Sequence, residues 1–135
     1  MPDSPEQVLR RYYQEVWVDG RIDALDDLLA PDYVDHDPPP GYAGDASAAR
    51  EFARMFVAGM RDAKLTILAL VATADEACAH YSLEWTHCGP FLGNSNADGR
   101  RLILRGSDLV RVADGRITDI YHAENVLGTL RQLSA

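Results

Sequence analysis

The residues best placed to do chemistry are Asp108 and His122. They lie on two runs rich in β-branched and large apolar residues, Leu102 to Val112 and Arg116 to Asn125, joined by Ala113-Asp114-Gly115. An Asp-Gly pair between such runs is a tight-hairpin signal. Side chains alternate faces along a strand, so Leu104, Gly106, Asp108, Val110 and Val112 share one face, and Ile120, His122 and Glu124 share one face of the next strand. This parity sets Asp108 opposite His122 on a largely apolar surface. Such a pair is either a structural ion pair or an acid/base pair, since imidazole with an ordinary pKa of about 6.5 exchanges a proton near neutrality. A bulge that shifts one residue would undo the arrangement.

A second concentration of polar groups is Asp32-Tyr33-Val34-Asp35-His36-Asp37, followed by the stiff stretch Pro38-Pro39-Pro40-Gly41. Read as extended chain, it puts Tyr33, Asp35 and Asp37 on one side and Val34 and His36 on the other. Val34 and His36 are expected to face the core, which leaves His36 as either a hydrogen-bonded core histidine or a group that positions substrate. Asp35 and Asp37 are expected to be solvated or capping. Farther on, Tyr81, Leu83, Trp85 and His87 share one strand face, as sheet core or as a pocket wall whose flat aromatics suit a planar ligand. Tyr13, Trp17, Tyr33, Phe56, Met60 and Phe91 complete the expected ligand-contact set, with core packing as the ordinary alternative for the helical residues. His36, His122 and Asp108 would make a two-His, one-carboxylate metal set. No local ligand motif supports it, and no metal is expected. Cys78 and Cys88, ten residues apart in the sequence, would be roughly 33 Å apart on one extended strand, so they are read as free buried thiols.

Several elements must position these groups. Ser4-Pro5-Glu6-Gln7 is a capping-box start for a helix to about Asp19, stopped by Gly20. A shorter helix fits Asp23 to Leu29, ended by Pro31, and Asp45 caps a third, to about Arg61, with the stripe Phe52, Met55, Phe56, Gly59 and Met60. Strands are expected over Leu65 to Ala72 and Ala77 to Cys88, and with the hairpin they make a four-strand meander. Between them Gly89 to Gly99 reads as a flexible loop whose Phe91 and Leu92 either cap a pocket or merely connect. Val126 to Leu133 is expected to be a terminal helix. Helices followed by a twisted sheet give an α+β plan in which the helices cover one sheet face and leave a hollow.

With 135 residues, 47% of them hydrophobic, the chain fits one domain over residues 1–135. Its 13 basic against 21 acidic residues, a net charge of −8, argue against nucleic acid or an anionic membrane as partner. No secretion signal and no membrane-spanning run is read, so a cytoplasmic protein is expected.

The chain resembles the SnoaL-like polyketide cyclases of the NTF2-like superfamily. The matching stretches are Arg11-Tyr12-Tyr13-Gln14-Glu15-Val16-Trp17, Leu28-Leu29-Ala30-Pro31-Asp32-Tyr33-Val34-Asp35-His36-Asp37-Pro38, Arg54-Met55-Phe56, Trp85-Thr86-His87-Cys88-Gly89, Phe91-Leu92-Gly93, Arg111-Val112-Ala113-Asp114-Gly115-Arg116-Ile117 and Leu127-Gly128-Thr129-Leu130-Arg131-Gln132-Leu133. They span nearly the whole chain. The resemblance implies a cone in which N-terminal helices pack on a curved antiparallel or mixed sheet around a pocket. It further implies a cofactor-free intramolecular aldol closure of a hydrophobic, polyketide-derived substrate in bacterial secondary metabolism, such as antibiotic biosynthesis. The family's usual acidic catalyst aligns with His122 here, and Asp108 lies opposite. In that reading His122 moves the proton while Asp108 orients its ring. The fold hosts other activities, so two alternatives stand beside it: epoxide opening with Asp108 as acid and His122 as base, and a non-catalytic small-molecule binder. The resemblance also implies a homodimer through the outer sheet face, with His80, Glu84, Arg105 and Arg111 on it.

Overall fold

Ser4 opens the first helix as its sequence requires: its hydroxyl accepts from the Gln7 N–H at 3.2 Å, and its own N–H donates to Gln7 Oε1 at 2.8 Å. The computed structural model describes residues 1–93 and 98–134. Helix α1 (Pro5–Arg11) runs on without a break into a π-helical segment, Tyr12–Val18. Val8, Leu9, Tyr13 and Val16 bury one side of this combined helix. Gly20, at a φ of 71°, makes the turn after it, a conformation that costs glycine little. A 3₁₀ turn, Ile22–Ala24, leads to α2 (Leu25–Leu28).

The second helix is shorter than its apolar pattern predicts. The backbone is already extended at Leu29, and Pro31 disfavours helix at the residue before it. The chain instead forms β1 (Leu29–Asp35), which tolerates proline because it is an edge strand. Helix α3 (Ala46–Ala58) is capped by Asp45, whose Oδ1 accepts from the Ala48 N–H at 2.8 Å. It stops at Gly59, and β2 (Met60–Ala72) starts at once rather than at Leu65. Gly59 and Gly89 press together there: a Cβ on Gly89 would lie 2.8 Å from the Gly59 Cα. Met60 therefore belongs to the sheet and not to the helical stripe.

Strands β3 (Glu76–His87), β4 (Arg101–Ala113) and β5 (Arg116–Glu124) follow. Asp114 and Gly115 form the two-residue turn of the last hairpin, both with positive φ, 52° and 75°, as a type I′ turn needs. The sheet order is β1-β5-β4-β3-β2, with β1 parallel to β5 and every other pair antiparallel. It is a mixed, open, five-stranded sheet, one strand more than the meander expected. The expected loop over 89–99 is described only at its ends, and residues 94–97 lie outside the described residues. Cys78 and Cys88 are free thiols, half-buried rather than buried.

The helices cover one sheet face, and the strands alternate accordingly. On that face β3 buries Tyr81, Leu83, Trp85 and His87, and β4 buries Leu102, Leu104, Asp108 and Val110. The start of β4 extends past the end of β5, whose last paired residue, Glu124, meets Gly106. Helix α4 (Val126–Ser134) covers the unpaired edge. Gln132 Oε1 accepts the Ile103 N–H at 2.8 Å, while Gln132 Nε2 and the Thr129 hydroxyl donate to the Ile103 carbonyl at 3.0 and 2.7 Å. Two side chains thus satisfy the backbone groups that a neighbouring strand would have paired. Among the described residues no helix is long and apolar enough to cross a membrane.

Candidate active site

The hairpin register sets the site. Asp108 pairs directly with His122, and the bulge in this ladder falls between Arg111 and Val112, on the turn side of that pair. The two-residue turn alone would set Asp108 opposite Tyr121; the bulge, which leaves Thr118 out of the ladder, brings His122 there instead, and both side chains reach a cavity of about 250 Å³ between the helices and the sheet.

His122 is held from three sides. Its Nε2 lies 2.9 and 3.0 Å from the two Asp35 oxygens, its Nδ1 lies 2.5 Å from Glu124 Oε1, and its backbone N–H donates to Asp37 at 3.0 Å. The parallel pairing of β1 with β5 is what carries Asp35 to the ring. A carboxylate on each ring nitrogen needs an N–H on each, so the ring is an imidazolium. Burial alone would lower its pKa, but the hydrogen bonds from Asp35 and Glu124 and their charges outweigh it, and the group is pushed up to about 10.

Asp108 is only 5% exposed, and its carboxylate accepts one hydrogen bond, from the Tyr13 hydroxyl at 2.7 Å. Burial pushes its pKa up to about 7; the Tyr13 hydrogen bond and the His122 charge oppose that rise, while Glu124 and Asp35 add to it. Tyr13 stands in the first turn of the π-helical segment and packs on Tyr81 with ring centroids 5.3 Å apart. Burial raises its phenol pKa, with the Asp108 charge adding to the rise, so it remains a donor. The expected role of Asp108 in orienting the imidazole is corrected here: Asp35 and Glu124 orient the ring, and Asp108 makes no hydrogen bond to it.

Six of the expected contact residues line the cavity: Tyr13, Trp17, Tyr33, Phe56, Tyr81 and Phe91. Four do not. Trp85, 1% exposed, stands behind Phe56 and Phe91 at centroid distances of 5.7 and 5.5 Å, so it supports the wall without forming it. Met60 sits opposite His87 in the β2–β3 ladder and packs against the core. His87 is fully buried, and neither ring nitrogen has a hydrogen-bond partner among the described residues. His36 lies on the other side of β1, bonded through Nε2 to Asp119 at 2.9 Å and stacked on Tyr121 at 4.2 Å. The alternation read for this segment is right and its facing is reversed: Tyr33 is 5% exposed and Val34 41%.

Asp35 and Glu124 were not singled out as site residues from the sequence. Glu124 carried a usable signal, since it shares a strand face with His122. Asp35 did not, because its approach depends on a parallel pairing between segments far apart in the chain. His36 is too far round the strand to join a metal set with His122 and Asp108. Asp108, His122 and Glu124 each offer a ligand atom within 4.8 Å of the others. A cation there would have to deprotonate His122 and displace a carboxylate from it, so this donor set suits an ion poorly.

Gly106 gives the site its room. A Cβ there would lie 2.8 Å from the Tyr81 hydroxyl and 2.9 Å from Glu124 Cγ. Gly106→Ala is expected to cost about 1–3 kcal/mol through overpacking. A fall in Tm together with weaker ligand binding would register it, and an unchanged Tm would contradict it.

A family model described as SnoaL-like polyketide cyclase matches residues 7–133. Among proteins of curated function none matches the chain. Among solved structures, TsrD from Streptomyces laurentii is 28% identical with a TM-score of 0.82, over 96% of this chain and 94% of that one. IdmH from Streptomyces antibioticus, described as a candidate polyketide cyclase, is 26% identical with a TM-score of 0.83, over 98% of this chain and 100% of that one. AclR from Streptomyces galilaeus, described as a candidate hydroxylase, is 17% identical with a TM-score of 0.80, over 97% and 87%, a likeness of fold alone.

Proposed function

Because the chain belongs to the SnoaL-like polyketide cyclase family, we propose that it closes a ring in a polyketide-derived substrate by acid/base chemistry, with Asp108 moving the proton. The observation that carries this reading is a buried carboxyl in the cavity whose pKa is pushed up to about 7. Such a group is divided between carboxylate and acid at neutral pH, so it can take a proton and return it within one turnover. The Asp108 carboxylate removes a proton from a carbon between two carbonyls. The enolate carbon then bonds to a second carbonyl carbon of the same molecule, and the alkoxide formed takes the proton back from Asp108. Product and substrate are isomers.

His122, the proton-moving group expected from the family position, takes a different part. Its N–H groups are both committed to carboxylates, so at neutral pH it has no free lone pair with which to act as a base. It contributes positive charge beside Asp108, which favours the carboxylate against the opposing charges of Glu124 and Asp35. The test is incubation with a panel of aromatic polyketide esters, followed by mass and NMR analysis. The reading expects an isomeric, ring-closed product; a panel that binds without conversion would instead support a non-catalytic binder.

Epoxide opening is the second reading, and the acid fraction of Asp108 near neutrality favours it. Asp108 would protonate the epoxide oxygen while Glu124 or Asp35 takes the proton from water. The product would gain the mass of water, which separates the two reactions.

We further propose a homodimer through the outer sheet face. Glu84, Arg111 and His80 lie there, held by contacts to Arg101 (3.5 Å), Glu76 (3.1 Å) and Ser107 (2.8 Å), whereas Arg105 is exposed. Arg105→Glu is expected to lower the mass seen by light scattering towards that of a monomer, and an unchanged mass would contradict this interface.

A further inference from the structure

We infer that the substrate carries a protonated amine on a flat apolar body, which deepens the reading of the cavity as a substrate site and rests on it. Among the described residues, the carboxyl groups lining the cavity are Asp35, Asp37, Asp45, Asp108 and Glu124, with His122 as the one cation, and no Lys or Arg lines it. Residues 94–97, outside the described residues, are uncharged. His122 compensates only one of the two carboxylates that grip it. Both of its N–H groups are spent on them, so a carboxylate or phosphate on a ligand would find no cationic donor.

Two further groups point to a ligand. Tyr33 and Tyr81 line the cavity at 5% and 7% exposure, and neither hydroxyl has a hydrogen-bond partner among the described residues. Both hydroxyl oxygens are open to the cavity, since among the described residues the buried side-chain polar atoms without a partner are the His87 ring nitrogens alone, and so they are free to bond a ligand. A hydroxyl oxygen accepts an N–H, and an ammonium brings three. The carboxylates of Asp35 and Glu124 supply ionic acceptors nearby. Much of the remaining wall is aromatic, including Trp17, Phe52, Phe56 and Phe91, and aromatic faces attract cations as well as flat rings. An anion meets repulsion from the same carboxylates, and a neutral hydroxyl can gain a hydrogen bond but not the ionic attraction.

Calorimetry with three inert ligands of one shape tests this: aminomethylnaphthalene, hydroxymethylnaphthalene and naphthoic acid, at neutral pH. The amine is expected to bind about tenfold or more tightly than the alcohol, a difference of about 1.4 kcal/mol, and the acid most weakly. Glu124→Gln and Asp35→Asn should narrow the gap between amine and alcohol. Should those variants not fold, salt serves instead with the wild type: added salt should weaken the amine and leave the alcohol unchanged. An amine that fails to bind, or an alcohol or acid that binds as tightly as the amine, overturns the inference. None of these ligands holds an epoxide or a carbon between two carbonyls. Loss of the preference therefore leaves ring closure standing, and absence of turnover on the polyketide panel leaves the preference standing.

Discussion

Asp108→Asn should lower ring-closing turnover by about 10²–10⁴-fold, the size expected of one acid/base group, while the fold is kept. The amide has the carboxyl's shape, and its oxygen can still accept the Tyr13 hydroxyl that lies 2.7 Å from Asp108. What is lost is the exchangeable proton. In the wild type the rate should rise as the Asp108 carboxylate forms, through a midpoint of about 7, and the residual rate of the variant should lack that step. Stability moves the other way. The folded state holds the Asp108 proton more tightly than the unfolded chain, whose aspartates titrate at about 3.9. This contribution is therefore fully present below about 3.9 and is lost as pH rises through about 7. Asp108→Asn should flatten that slope in a Tm series against pH. A variant that turns over as fast as the wild type would make Asp108 a structural group.

His122→Ala should be the most destabilising single change in the site, by about 3 kcal/mol. Its partners explain the size: the side chains of Asp35 and Glu124 are 12% and 23% exposed, and removing the cation leaves two carboxylates facing each other out of water. The pH dependence has a definite sign. The folded pKa of about 10 stands above the unfolded value of about 6.5. The stabilisation is therefore complete below about 6.5 and is lost as pH rises through about 10. Urea unfolding at several pH values should show this fall in the wild type and not in His122→Ala. The substitution also removes the charge that restrains the Asp108 pKa, so any remaining activity should need more alkaline conditions. Equal stability of the two proteins across this range would mean that the imidazolium is not held as described.

The sequence was most legible where the signal was local. The Asp114-Gly115 turn marks a two-residue hairpin, although the turn alone would set Asp108 against Tyr121, and the bulge at Thr118 that brings His122 there instead had no such local mark. The caps at Ser4 and Asp45 were legible as local signals too. The edge strand was harder: alternation in Tyr33 to Asp37 was visible, but which side faces inward depends on the parallel pairing with β5, a contact made far along the chain. Tyr33 was the better guide to the buried side, being far larger than Val34. The error moved His36 into the pocket and Asp35 out of it, and so hid the group that holds His122. Trp85 and His87 share a face with Tyr81, as expected. Parity cannot tell a cavity wall from the layer behind it, and Phe56 and Phe91 stand in front of Trp85. The roles within the pair were illegible for a related reason, because they turn on burial of Asp108 and on carboxylates reaching the ring from β1 and β5.

The most direct measurement is a carboxyl-carbon NMR titration of aspartate-labelled protein, with the Asp108 signal assigned by its loss in Asp108→Asn. The expected midpoint for this group is about 7. A higher midpoint is expected in Tyr13→Phe, because the Tyr13 hydrogen bond favours the ionised form. A midpoint at the ordinary carboxyl value of about 3.9 would contradict the role of Asp108, since such a group would be all carboxylate at neutral pH and a poor donor of the proton that ends the cycle.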